Sequence, residues 1–202
     1  MDMYYYRKMT PEQREQILEN RRRKYLPWHS PPHHEVTIEC SYLITAVCYE
    51  HKHIISRTHE RMTECEGELL NTCADSGAVI NAWCLLPNHY HILLRTKKLK
   101  MLLKHLGLFH GRTSFRWNGE DGQRGRKCWF NTHDRYIRSE RHFWSSLNYV
   151  HNNAVHHGYV DKWQDWPWSS AEEFLTKNGR EETMRIWHEY PLLDYGKKWD
   201  LY

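Results

Sequence analysis

The sequence predicts an α+β fold: a ferredoxin-like (RRM-like) antiparallel sheet with helices packed on it. Three observations lead there. Segments rich in apolar and β-branched residues at 35–49, 78–86 and 89–95, with a shorter one near 127–131, read as four strands. Stripes of helical spacing lie between the first and second strands and between the third and fourth. The second and third strands are joined only by the tight corner Pro87-Asn88, so they form a hairpin. The order β-α-β-β-α-β fits such a sheet, with its helices on one face.

Each element has a local reason. Thr10-Pro11-Glu12-Gln13 starts a helix: Thr caps, Pro fills the first turn and Gln completes a capping box. That helix runs to about Lys24 and stops before the Pro-rich stretch 27–32. Val36, Ile38, Tyr42, Ile44 and Val47 mark the first strand. Met62, Cys65, Leu69 and Cys73 form the stripe of a helix over 58–76, which Gly77 ends. Leu99, Leu102, Leu103 and Leu106 repeat that pattern among Lys97, Lys98, Lys100 and Lys104, and read as core. Residues 118–127 read as a flexible polar loop, followed by a short strand leading to His133-Asp134-Arg135. Ser139 caps the next helix, with Glu140 in its first turn and Phe143, Leu147, Val150 and Ala154 on its buried stripe. Gly158 ends it, and Trp163, Trp166 and Trp168 precede a terminal helix from about Ser170.

At 202 residues the chain is one domain with appended ends: an N-terminal helical arm over 1–34, a body over 35–160 and a Trp-rich tail over 161–202 packing on it. No apolar run is long enough to span a membrane, and the N-terminus has no signal-peptide character, so a cytoplasmic location is expected. The six cysteines show no Cys-x-x-Cys pair and sit in apolar segments, as buried thiols of a reduced compartment do. The net charge is only +4, but residues 95–141 hold 13 Lys and Arg against four Asp and Glu. Arg21-Arg22-Arg23-Lys24 is a second basic run. Ten tryptophans and thirteen tyrosines interleaved with these cations suit single-stranded nucleic acid, where bases stack and phosphates meet charge.

The candidate chemistry lies at His89-Tyr90-His91 and, 58 residues beyond, at Tyr149 and Asn153. On a strand His89 and His91 share a face while Tyr90 points the other way, and two imidazoles one pleat apart can hold a divalent metal. On a helix Tyr149 and Asn153, four apart, project together, beside the buried stripe rather than in it. An amide oxygen would complete a three-ligand site, and the phenol could attack what the metal polarises. A phenol of ordinary acidity, pKa near ~10, is only about one part in a thousand phenolate at neutral pH, so the metal must do the activating.

Four motifs in order carry a resemblance. Leu86-Pro87-Asn88-His89-Tyr90-His91-Ile92-Leu93-Leu94 resembles the His-hydrophobic-His motif of single-tyrosine transposases. Trp129 to Glu140 resembles the segment before their nucleophile helix, and Tyr149-Val150-His151-Asn152-Asn153-Ala154-Val155-His156-His157-Gly158 resembles the tyrosine segment of the REP-associated branch. Trp166-Pro167-Trp168-Ser169-Ser170 is similar to that branch's downstream signature. The sequence departs from the pattern at Ala154, where the family has Pro, and at Tyr90, where it has an aliphatic residue.

The resemblance implies an HUH endonuclease fold, with residues 35–160 as the catalytic domain. It implies Tyr149 as nucleophile, His89, His91 and Asn153 as ligands of Mg²⁺ or Mn²⁺, and cleavage of single-stranded DNA beside a REP-type hairpin through a 5′-phosphotyrosine. A monomer is expected rather than a dimer. Arg21, Arg22, Arg23, Arg112, Arg116, Arg124 and Arg126 are the expected DNA contacts. The rival reading is a non-cleaving module or repressor that binds hairpins or single strands, stacking bases on Tyr90, Trp83 and Trp129.

Overall fold

The computed structural model describes residues 9–23 and 38–196, and residues 1–35 and 36–202 form separate compact units. The first unit holds helix α1 (Pro11–Arg23). Its capping box is formed: Gln13 N–H donates to Thr10 Oγ1 (3.3 Å) and Thr10 N–H to Gln13 Oε1 (3.0 Å). Arg21, Arg22 and Arg23 close that helix, while Lys24 and the Pro-rich stretch lie outside the described residues.

In the second unit β1 (Cys40–Cys48) is followed by α2 (His59–Asp75), β2 (Val79–Leu85), β3 (His89–Thr96), α3 (Leu99–Glu120) and β4 (Trp129–Tyr136). Helices α4 (Glu140–His156) and α5 (Ala171–Glu189) complete it. The sheet is antiparallel throughout, in the order β2-β3-β1-β4, which is the ferredoxin-like arrangement. The stripe Met62, Cys65, Leu69 and Cys73 of α2 is buried, and Thr58 Oγ1 accepts from Arg61 N–H (3.1 Å) to cap that helix.

The two crossover helices lie on one face of the sheet, where Tyr90 donates to or accepts from His110 Nε2 of α3 (3.0 Å) and packs edge-on against Trp129. Not all helices share that face. Six consecutive residues of β3, His89 to Leu94, are buried, so the sheet needs a layer on its other side too, and α4 supplies it. Burial holds His110 at about 3, so this core imidazole is neutral.

The segment after α4 seals one sheet edge. Leu85 N–H donates to Trp168 O (2.8 Å), Ser170 N–H to Trp83 O (3.0 Å), and Trp166 Nε1–H to Leu85 O (2.8 Å). All six cysteines are free and buried, and burial pushes the Cys73 and Cys84 thiols up to about 12. No helix among the described residues is long and apolar enough to cross a membrane.

Residues 118–127 differ from the expected flexible loop. Buried Arg61 donates to both oxygens of Asp121 (3.1 and 2.7 Å) and to Ile54 O (3.2 Å), and Arg126 donates to Asp121 from the other side (2.7 Å). The loop is therefore pinned to α2 by a carboxylate only 3% exposed. Hydrogen bonding from Arg61, then from Arg126, holds the Asp121 carboxyl down at about 2. Asp121→Asn is expected to cost about 3 kcal/mol at neutral pH, read by urea unfolding. The carboxylate's contribution is complete above about pH 4 and fades as pH falls towards about 2. Wild type should thus lose stability more steeply than the variant across that window, and parallel curves would remove the clamp from the account.

Candidate active site

Helix α4 starts where Ser139 Oγ accepts from His142 N–H (3.2 Å) and runs unbroken to His156. Ala154 lies fully buried inside it; a proline there would have removed a helix hydrogen bond. One face of the helix presents Tyr149 and Asn153, and four residues further His157, over the sheet. Beneath them β3 presents His89 and His91, set by pairing with β1 in which Thr45 faces His91 and Val47 faces His89.

The protein holds both imidazoles by Nδ1. Thr45 Oγ1 lies 2.7 Å from His91 Nδ1, and Asn88 Oδ1 lies 2.7 Å from His89 Nδ1. The Asn88 amide is oriented by its own Nδ2, which donates to His51 O (3.1 Å), so its oxygen accepts the His89 Nδ1 proton. In that tautomer His89 Nε2 is an acceptor, and it faces another acceptor, Asn153 Oδ1, at 3.1 Å. Two acceptors at that distance attract only through a cation, or if the amide turns over. Both atoms would serve as ligands of one divalent ion. His91 Nε2 lies 3.5 Å from the Tyr149 hydroxyl, and the two histidine rings meet edge-on at 5.0 Å. Among the described residues no three His, Cys, Asp or Glu side chains are grouped to hold a metal, so an ion here needs the Asn153 amide. The residues fit a hard divalent ion such as Mg²⁺ or Mn²⁺ better than zinc, which favours more His or Cys.

The helix spacing placed Tyr149 and Asn153 beside the buried stripe, but both are buried, Tyr149 being 4% exposed. The segment after α5 covers it. The Tyr195 ring packs edge-on against Tyr149 (5.7 Å), and its hydroxyl bonds Ser146 Oγ and lies 3.1 Å from His142 Nε2. Gly196, at φ 80°, lies so close that a Cβ there would overlap the Tyr149 ring. Beside the site, His133 and Arg135 of edge strand β4 pair with Thr45 and Leu43, so they share the His89 face, and both are exposed.

The expected DNA contacts divide. Arg112, Arg116, Arg124 and Arg126 belong to α3 and the loop after it, on the sheet face opposite His89 and His91. Arg116 bonds Glu68 (2.5 Å) and Arg126 bonds Asp121, so both hold carboxylates of the chain itself. Arg124 lies over the ring of Phe115, which is 73% exposed, and Arg112 is exposed. Two of the three expected stacking rings, Tyr90 and Trp129, are buried under α3, while Trp83 is half-buried and donates to Glu66 (2.8 Å). Asn88, Thr45, His133, Arg135 and Gly196 carry no pattern in the sequence that marks them as site residues, whereas the spacing of His157, one further turn from Asn153, does. Burial, then His156, His91 and His51, holds His157 at about 4, so its imidazole is neutral.

Comparison with known proteins agrees with the motifs. No protein-family model matches the chain. A Haemophilus influenzae protein provisionally named a REP-associated tyrosine transposase is 31% identical over 106 residues, 44% of this chain and 56% of that protein's length. The structure of a REP-associated tyrosine transposase bound to a REP hairpin superposes with a TM-score of 0.52 at 16% identity, covering 73% of this chain and 87% of that one. A provisionally named transposase of Deinococcus radiodurans gives a TM-score of 0.37 at 15% identity, over 61% of this chain and 90% of its own. In sequence and in fold the chain resembles REP-associated tyrosine transposases.

The cover over the phenol is testable without any substrate. Gly196→Ala adds a methyl group where the Tyr149 ring lies, at a backbone conformation alanine rarely adopts. Nitration of Tyr149 by tetranitromethane, mapped by mass spectrometry, is expected to rise several-fold while the melting temperature barely moves. Unchanged nitration would mean that the segment does not control access.

Proposed function

We propose that the chain is a REP-associated tyrosine transposase, a metal-dependent nuclease and strand transferase that cuts single-stranded DNA beside a hairpin. The observation that carries the reading is the meeting of two elements distant in sequence. One helix face brings Tyr149 and Asn153 onto one strand face with His89 and His91, both held by Nδ1. The hairpin comes from the relative whose structure contains one, and from the basic character of residues 95–141.

His89, His91 and Asn153 would hold the divalent ion. Bound there, it supplies Lewis-acid polarisation of the scissile phosphate and stabilises the departing oxygen. Tyr149 supplies the nucleophile: its oxygen bonds to phosphorus as the bond to the 3′ oxygen breaks. The phenol loses its proton and the leaving 3′ oxygen gains one, giving a 5′-phosphotyrosine and a free 3′-OH. The energy of the broken bond is kept in the ester, so a second 3′-OH can reverse the step without ATP. His133 and Arg135 line the face by which a strand would approach, and Arg112 and Arg124 are available to phosphates on the opposite face. Arg21, Arg22 and Arg23 form a basic helix end suited to the same role. Burial of Tyr90 and Trp129 weighs against the rival module, which needs them as stacking platforms.

Two measurements test this reading. An end-labelled hairpin oligonucleotide incubated with Mn²⁺ or Mg²⁺ is expected to give a labelled covalent adduct on denaturing gels. The adduct should vanish with EDTA and in Tyr149→Phe; hairpin binding with no adduct under either metal would sink the nuclease. Asn88→Ala should weaken Mn²⁺ binding about 10–100-fold, read by electron paramagnetic resonance in the absence of DNA. An unchanged affinity would mean that orientation of His89 does not matter to the ion.

A further inference from the structure

We infer that His157 is a catalytic residue that donates from Nε2 to a non-bridging oxygen of the phosphate Tyr149 attacks; the inference rests on the nuclease reading. Tyr149, Asn153 and His157 follow at intervals of four residues, so they form one stripe along α4 and its cap. His157 is that C-cap: its N–H donates to Asn153 O (3.1 Å), and Gly158, at φ 72°, then turns the chain away. The imidazole is thereby kept on the helix face and meets His89 edge-on at 5.0 Å.

With Asn153 Oδ1 facing His89, as a metal-bound amide requires, two nitrogens on this stripe are buried without a hydrogen-bond partner, Asn153 Nδ2 and His157 Nε2. Leaving such a group unpaired in the interior is costly, and most buried polar atoms in proteins find partners. A pair of them one turn apart, beside the proposed metal ligands, needs an occupant. The occupant must bring acceptors, because an amide NH₂ can only donate. A cation would leave Asn153 Nδ2 unsatisfied, and His89, His91 and His157 are not grouped to share one. Phosphate oxygens satisfy both nitrogens, and a donor aimed at an oxygen gaining charge in the transition state accelerates the step.

His157→Phe keeps a ring of similar size without the nitrogen, and His157→Gln restores an N–H near the Nε2 position. Mn²⁺ affinity without DNA and the rate of adduct formation with the hairpin oligonucleotide at saturating Mn²⁺ are measured for both. Mn²⁺ affinity is expected to stay at the wild-type level in each. The adduct rate should fall about 10²-fold in the Phe variant and recover most of that loss in Gln. Weakened Mn²⁺ binding would make His157 a metal ligand and overturn the proposal, as would a Phe variant that reacts at the wild-type rate. No adduct from wild type would overturn the nuclease reading itself, and this one with it.

Discussion

The register of β3 against β1 is the constraint on which the rest of this structure depends. Thr45 opposite His91 and Val47 opposite His89 fix which side of the sheet each imidazole takes. Side chains alternate along a strand, so a slip of one residue would send both histidines into the α2–α3 layer and Tyr90 into the site. Tyr90 guards against that slip. It is fully buried, bonded to His110 and wedged against Trp129, so the apolar layer accepts only this register. The same pairing brings the Thr45 hydroxyl to His91 Nδ1, so one ladder positions a ring and selects the nitrogen it offers.

Much of this was legible in the sequence because periodicity records burial. The strands at 78–86 and 89–95 became Val79–Leu85 and His89–Thr96, and the helix at 58–76 became His59–Asp75. Both N-caps read from hydroxyls, Thr10 and Ser139, are formed as capping chemistry requires. The two metal-facing histidines and the Tyr149–Asn153 pair were readable for the same reason: strand and helix periods dictate shared faces.

What escaped the sequence was contact between remote segments. Nothing periodic links Gly196 to Tyr149, or Arg61 to Asp121 sixty residues on. The polar run 118–127 has the composition of a mobile loop, but residues 118–120 end α3, and Arg61 and Arg126 together fix the rest through Asp121. Charge was misleading for a similar reason. Arg116 and Arg126 look like surface cations until their carboxylates are found on α2 and in the loop. The second layer, α4 on the far face, was implicit in β3, whose buried residues run without alternation.

The Trp166–Ser170 segment has a consequence for how copies of this chain meet. An edge strand is an invitation to add another strand, and a sheet of four has two such edges. Along β2 that invitation is withdrawn from within: the chain's own backbone occupies hydrogen-bonding positions at Trp83 and Leu85, with Trp166 reaching in as well. At β4 the means differ. Among the described residues that strand has a partner on one side only, and it carries His133, Asp134 and Arg135 in succession. Desolvating that charged row against a second copy is costly, so the fold resists growing into stacked sheets by two independent devices, one steric and one electrostatic.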